Sequence, residues 1–449
     1  MGELDLAPLV AAVTGTVTGR EDPGYDGARM PWNMRDQRPA AVVEVATPAD
    51  VAAALTFAAD ADLRVAAQPT GHGASWDYEG TLLLRTGRLR DVVIDSESRS
   101  ARFGAGVLWN EVLDPAAEVG LTALAGTAPH VGATGYTLGG GLGWLARRDG
   151  LCANRLRAAD VVLADGTITR IDEQNDPDLL WALRGGGGNY AIVTSMEMEL
   201  ISQAKVYAGN LVFPLERASE VIPAWREWVG GLPNDATSTI VLIRVPDMPA
   251  VPEHLRGQEL AIVSTCVAIE SDSHDELFAQ MRGLAPIADT LSLRRPNELA
   301  DLHNDPVDPI PATGGAAILR ELDDVTIGRL LEQVGPGSGT PLLMAEVRHC
   351  GGAIRTPAVP GGVRDRFDGE FVAYVVGVPA GPRAGEIAPA IEGLVEALAP
   401  ASTGEMILNF EDDPSRAKDA FPPEDLARLR EIKRARDPHG RIVSNHPLG

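Results

Sequence analysis

The chain has 449 residues, with 39 Lys and Arg against 63 Asp and Glu, a formal charge of −24. That length leaves room for two or three domains, and the charge repels phosphate backbones and anionic lipid, setting aside nucleic acid and membrane as main partners. Three cysteines without CxxC spacing exclude a disulfide framework and fit a cytoplasmic protein, and the eight histidines never fall at HxxxH or HExxH spacing, so no metal site is expected. The opening "MGELDLAPLVAAV" has two acids and no base, unlike a secretory leader, and no apolar run nears the ~18 residues of a membrane span.

In chain order, "RPAAVVEVA" (38–46) predicts a strand from its β-branched run, and "TPADVAAALTFAADA" a helix. Thr47 suits its N-cap, Pro48 its first turn, and Asp50 completes a capping box. "LRVAAQP" (63–69) is a short strand that delivers the chain into "TGHGAS", where His72 stands between Gly71 and Gly73. Short strands follow at "TLLL", "LRDVVID" and "SARFGAG", then a helix at "LWNEVLDPAAEVG". The stretch 126–151 holds eight glycines and little regular pattern. "RAADVVLADGTITRI" reads as a hairpin turning at Asp165-Gly166. "DPDLLWALRGGGGNYAIVTSMEMEL" reads as a short helix, a glycine loop and a strand. After Gln203 the glycine clusters stop. Strands near 206–213, 238–245 and 258–268 alternate with helices near 215–230 and 273–285, which predicts a second domain with a mixed sheet and covering helices. An amphipathic helix closes the chain and ends at Asp437-Pro438.

Glycine loops of this density bring backbone close to a ligand, and successive N–H groups in them bind anionic oxygens such as a pyrophosphate. "GLGWLA" (141–146) matches the dinucleotide fingerprint of nicotinamide-binding folds, but "GATGYTLG" precedes it where a hydrophobic strand is required. The plainer alternative, that the glycines only form tight turns, serves each glycine alone better than it serves three clusters and His72 together.

The series "RPAAVVEVATPADVAAALTFAADADLRVAAQPTGHGAS", "GTAPHVGATGYTLGGGLGWLARRDGL", "DLLWALRGGGGNYAIVTS" and "LREIKRARDPHGRIVSNHPL" resembles the berberine-bridge-enzyme-like flavoproteins of the vanillyl-alcohol-oxidase superfamily. The resemblance implies a two-lobed α+β fold: a PCMH-type FAD-binding domain over 1–203, a mixed-sheet substrate domain over 204–404, and a C-terminal segment, 405–449, returning to the FAD domain. It implies FAD bonded covalently to His72 through the 8α carbon, with Gln68, Pro69, Thr70, Gly71 and Gly73 around it. The second, cysteinyl link of many members is not expected, because Ala128 stands in "APHVG" where that cysteine would be; Cys152 is read as a small buried hydrophobe. Val131 matches an oxygen-gate position at which valine accompanies oxidases. By the same resemblance Gly132, Thr134 and Gly135 lie on the pyrophosphate side, followed by Gly139, Gly140 and Gly143. Ile192 and Val193 lie near the adenosine half, and Asn409 and Asn445 near the ring.

The chain departs from the family's pattern at "ILNF", where Ile407 replaces a tyrosine that assists deprotonation. Candidates for the catalytic groups come from "LLMAEVRHCGG", whose alternation puts Glu346 and Arg348 on one strand face as base and orienting cation. An exposed ion pair is the competing reading. Tyr374 in "EFVAYVVGV" is a ring-facing candidate, and His130 and Tyr136 could line the flavin pocket. The implied activity is oxidation of a hydroxyl or amine on a sugar-like or secondary-metabolite-like small molecule, with O2 as acceptor. A dehydrogenase with another acceptor, or a flavin-retaining cyclisation or elimination, are the alternatives.

Overall fold

The computed structural model describes residues 4–448 apart from 249–252, 254, 255, 270–273 and 360. The β-branched run at 41–44 forms the strand Ala41–Glu44, which pairs with Thr81–Arg85, and that in turn with Arg64–Gln68, all three parallel. Thr16–Gly19 adds an antiparallel edge. Parallel neighbours need a crossover, and the helix Pro48–Asp60 supplies it between Ala41–Glu44 and Arg64–Gln68. Thr47 Oγ1 accepts from Asp50 N at 3.2 Å. The Asp50 carboxylate also accepts from the amides of Thr14, Gly15 and Ala46, so one helix cap ties down the chain on both sides of the first strand. The helix buries Val51, Ala54, Leu55 and Ala58 against Val43, Val65, Leu82 and Leu84. His72 follows the carboxyl end of Arg64–Gln68, the end of a parallel sheet at which ligands bind.

A second, antiparallel sheet runs Val92–Asp95, Ser100–Gly104, Ile192–Glu199, Leu156–Val162, Ile168–Ile171. Its last two strands are the expected hairpin, with Gly166 at φ +85° in the turn. The glycine-rich stretch 126–151 is more regular than its composition suggests. It holds the helices Ala133–Leu138 and Ala146–Asp149. Neither is long enough to display a 3.6-residue pattern, and Gly140 (φ +114°) and Gly141 (φ +75°) turn the chain between them.

The third sheet is the largest. Its order is Ala288–Asp289, Val206–Pro214, Glu259–Val267, Ala236–Arg244, Met344–His349, Phe371–Gly377, Thr313–Leu319, with Ser292–Arg294 also on Val206–Pro214. Every pairing in it is antiparallel, which corrects the expectation of a mixed sheet. The reason lies in strand order. Val206–Pro214 and Ala236–Arg244 do run the same way, joined by the helix Ala218–Val229, but Glu259–Val267 inserts between them. The helices Ala218–Val229, Asp275–Gly283, Asp324–Val334 and Ile387–Leu398 cover one face, packing on Ala345, Val347, Ala373 and Val375. Position 273, the expected start of the second of these, lies outside the described residues. Alternation sends Glu346, Arg348 and Tyr374 to the other face.

The helix Pro423–Arg436 returns to the first 200 residues, with Arg428 and Arg436 each 2.7 Å from Asp178 and Asp176. Beyond it, Val65 N donates to Arg441 O and Val443 N to Val65 O, so the tail lies alongside the strand that leads to His72. Among the described residues no helix is long and apolar enough to cross a membrane.

Candidate active site

The loop after Gln68 has unusual hydrogen-bond accounting. Thr70, Gly71 and His72 are half-buried and Gly73 is exposed, and their consecutive N–H groups meet no acceptor among the described residues. Trp32 stacks on the His72 ring (centroids 4.2 Å, 14° between planes), and His130 lies at 5.3 Å. His72 Nδ1 is 2.7 Å from Thr70 Oγ1, while its Nε2 is buried without a partner. Burial, with the neighbouring His130, pushes the imidazole down to about 3, so the ring is neutral. His130 Nε2, Thr134 Oγ1 and Tyr136 Oη are likewise buried and unpartnered. A row of bare amides receives anionic oxygens, and a bare neutral imidazole nitrogen is a nucleophile; a dinucleotide with an electrophilic ring carbon fits both.

The neighbouring residues are explained by packing in part. A Cβ on Gly132 would lie 2.8 Å from Pro69 Cγ, and one on Gly139 would lie 2.7 Å from the Asn409 amide nitrogen. A Cβ on Gly143 would meet the Ala125 carbonyl, so that glycine answers to its own backbone neighbour. The Gln68 side chain is held by Arg85, and Gly135 faces open space. Ala128 and Val131 sit half-buried beside His130. Ile192 and Val193 are buried and pair with Val162 and Val161. The amide of Asn409 is fully used, accepting from Gly141 N at 2.7 Å and donating to Tyr136 O at 3.0 Å. Asn445 is bonded to the His72 loop itself.

The face of the large sheet that its helices leave uncovered carries polar groups. Glu346 and Tyr374 are direct register partners on adjacent strands. Glu346 and Arg348 are joined at 2.7 Å and are only 3% and 6% exposed, so the pair is buried and the exposed-face reading is overturned. Arg348 also donates to Leu142 O at 2.8 Å, stapling the sheet to the glycine-rich stretch. Burial opposes charge on Glu346, but the Arg348 guanidinium outweighs it and holds the carboxyl below its ordinary range. Tyr374 is kept neutral by burial and by the acids around it. Ile407 is buried in one apolar cluster with Leu142, Ile318, Phe367 and Val372.

Two residues were not singled out from sequence. Trp32 carries no motif, only its place as an aromatic before "NMR". Asp412 lies two residues after Phe410 of "ILNF": its Oδ2 accepts from Gly314 N at 2.6 Å, and its Oδ1 has no hydrogen-bond partner among the described residues. A Cβ on Gly314 would lie 2.8 Å from Tyr374 Oη, so Asp412 and that phenol share one glycine. Burial, with Glu411 nearby, pushes the Asp412 carboxyl up to about 6. A third buried group, His349, is pushed down to about 3 by burial and by Arg147. The unfolded chain protonates it near 6.5 and the folded one does not, so stability is full above pH 6.5 and falls below it. Between pH 6.5 and 4.5 the wild type is expected to lose about 2 to 3 kcal/mol more than His349→Gln, read from urea midpoints.

A neutral imidazole, unpaired donors and buried acids are groups that an FAD-dependent oxidoreductase uses. Residues 39–172 match the FAD binding domain family. The chain is 26% identical to (R)-6-hydroxynicotine oxidase of Paenarthrobacter nicotinovorans over 97% of both chains. It is 31% identical to xylooligosaccharide oxidase of Thermothelomyces thermophilus over 50% of this chain and 48% of that one. The structure of Physcomitrella patens BBE-like 1 superposes with a TM-score of 0.85 at 19% identity, covering 99% of this chain and 100% of that one. The chain is an FAD-linked oxidoreductase that carries an FAD binding domain over residues 39–172, and it shares the fold of the Physcomitrella patens protein.

Proposed function

We propose that the protein is an oxidase with FAD bonded once, to His72, and that it oxidises a hydroxyl or amine on a small sugar-like or alkaloid-like molecule with O2 as acceptor. Residues 1–203 with 405–449 form the FAD-binding part in this reading, and 204–404 the substrate part. The observation that carries it is the bare Nε2 of His72 beside four bare amides. A hydrogen on Nδ1, donated to Thr70 Oγ1, leaves the Nε2 lone pair free to bond the 8α carbon. The amides of Thr70 to Gly73 would be free to receive anionic oxygens of the cofactor. Ala128 offers no sulfur for a second bond.

FAD, when bound, supplies the acceptor for the hydride equivalent. The chain supplies the proton's destination. Two carboxyls whose environments push them apart take different roles. Glu346, locked to Arg348, remains an anion that orients the substrate's polar group. Asp412 has an oxygen without a hydrogen-bond partner among the described residues and is pushed up to about 6, which suits a general base, and Tyr374 stands beside it as a neutral donor. This moves the base from Glu346 to Asp412 and leaves Arg348 as the orienting cation. Val131 and the named activities of the relatives support O2 as acceptor. The test is an oxygen electrode with holoenzyme and a panel that includes xylobiose and 6-hydroxynicotine. Oxygen uptake with equimolar peroxide is expected. Anaerobic bleaching of the flavin without aerobic uptake would favour a dehydrogenase.

A further inference from the structure

The tail of the chain holds the back of the His72 loop. Asn445 Oδ1 accepts from Ser75 N at 2.7 Å, Asn445 Nδ2 donates to Gly73 O at 2.5 Å, and Ser75 Oγ donates to Asn445 O at 3.1 Å. Neither Gly73 O nor Ser75 N has another partner among the described residues. The loop's polar groups are thus divided. Gly73 O and Ser75 N are bonded to Asn445, and the N–H groups from Thr70 to Gly73 meet no acceptor among the described residues. Asn445 is itself fixed. Val65 brackets Arg441 and Val443, Asn189 Nδ2 donates to His446 O at 3.0 Å, and His446 Nε2 donates to Glu411 O at 2.8 Å. The other restraints on the loop come from residues 32–37: Trp32 N on Thr70 O, Asn33 on Ala74 O, and Gln37 on Trp76 O. Asn445 grips Gly73 and Ser75, on either side of Ala74, across about 370 residues of sequence.

We propose that Asn445 is a positioning residue for flavin attachment: docking of the C-terminal tail sets the His72 loop, so the tether forms only on the completed chain. This rests on the histidyl-FAD reading above. Attachment forms one C–N bond between His72 Nε2 and the 8α carbon. One hydrogen leaves the imidazole and one the methyl group, and both, with two electrons, go to O2 as H2O2. Without Asn445, Gly73 O and Ser75 N lose their only partners, and the loop is free to turn them elsewhere. The imidazole then spends less time aligned, while the glycine-rich stretch 126–151, to which Asn445 makes no hydrogen bond among the described residues, still offers the cofactor its contacts.

The experiment uses full-length apoprotein made in riboflavin-starved cells, with FAD added in air. Flavin is counted before acid precipitation and again in the pellet, over time. Wild type, Asn445→Ala and Asn445→Asp are compared; the aspartate keeps the acceptor for Ser75 N and sets an anion against Gly73 O. Both variants are expected to take up FAD at wild-type stoichiometry and to convert it to the acid-stable form about 10- to 100-fold more slowly. Equal conversion rates in the three proteins overturn the proposal. Variants that take up no FAD also overturn it, since Asn445 would then serve folding or binding and not attachment. Wild type that binds FAD but never makes it acid-stable removes the histidyl-FAD reading, and this proposal with it.

Discussion

Arg348→Met is expected to destabilise the protein by about 3–5 kcal/mol, the largest stability effect of any single change in the site. The Glu346 carboxylate is 3% exposed and its bond at 2.7 Å is to Arg348. Removing the guanidinium leaves a buried anion with no compensation, and it also severs the bond to Leu142 O that ties the large sheet to the glycine-rich stretch. The double change Glu346→Gln with Arg348→Met is expected to recover much of the loss, because no buried charge is then left unpaired. Urea midpoints of the two single and one double variant at pH 7.5 give the coupling. Additive losses would mean that the pair contributes little beyond its packing.

Asp412→Asn is expected to slow flavin reduction by about 10²–10⁴-fold, with total flavin unchanged. The wild-type rate should rise as pH passes upward through about 6 and level off above it, because the group acts only when deprotonated. In the variant that rise should vanish. Glu346→Gln, by contrast, should weaken substrate binding more than it alters the pH profile. The measurement is anaerobic stopped-flow reduction by whichever panel compound bleaches the flavin. An Asp412→Asn profile that keeps the wild-type inflection would return the base to Glu346.

Local features were legible in the sequence, and non-local ones were not. The Thr47 cap and the Asp165-Gly166 hairpin follow from a few adjacent residues, and the structure has both. The sense of the large sheet depends on Glu259–Val267 inserting between two earlier strands, which no window of sequence contains. Alternation correctly put Glu346 and Arg348 on one face, but it cannot say what covers a face, and the cover here is the glycine-rich stretch some 200 residues earlier. The same limit hid Trp32 and Asp412. Each lies far in sequence from its neighbours in the site, His72 for the first and Tyr374 for the second, and neither has a motif of its own. Asn445 was placed near the ring by resemblance; its bonds to Gly73 and Ser75 emerge only when the two ends of the chain meet.

The account stands or falls on a bond between His72 and the flavin. Purified wild type and His72→Ala should be precipitated with acid, and the wild-type pellet digested and weighed peptide by peptide. The account predicts yellow wild-type pellet, one FAD on the peptide that contains His72, and a variant whose flavin goes wholly to the supernatant. Flavin released from the wild type, or found on any other residue, would contradict it.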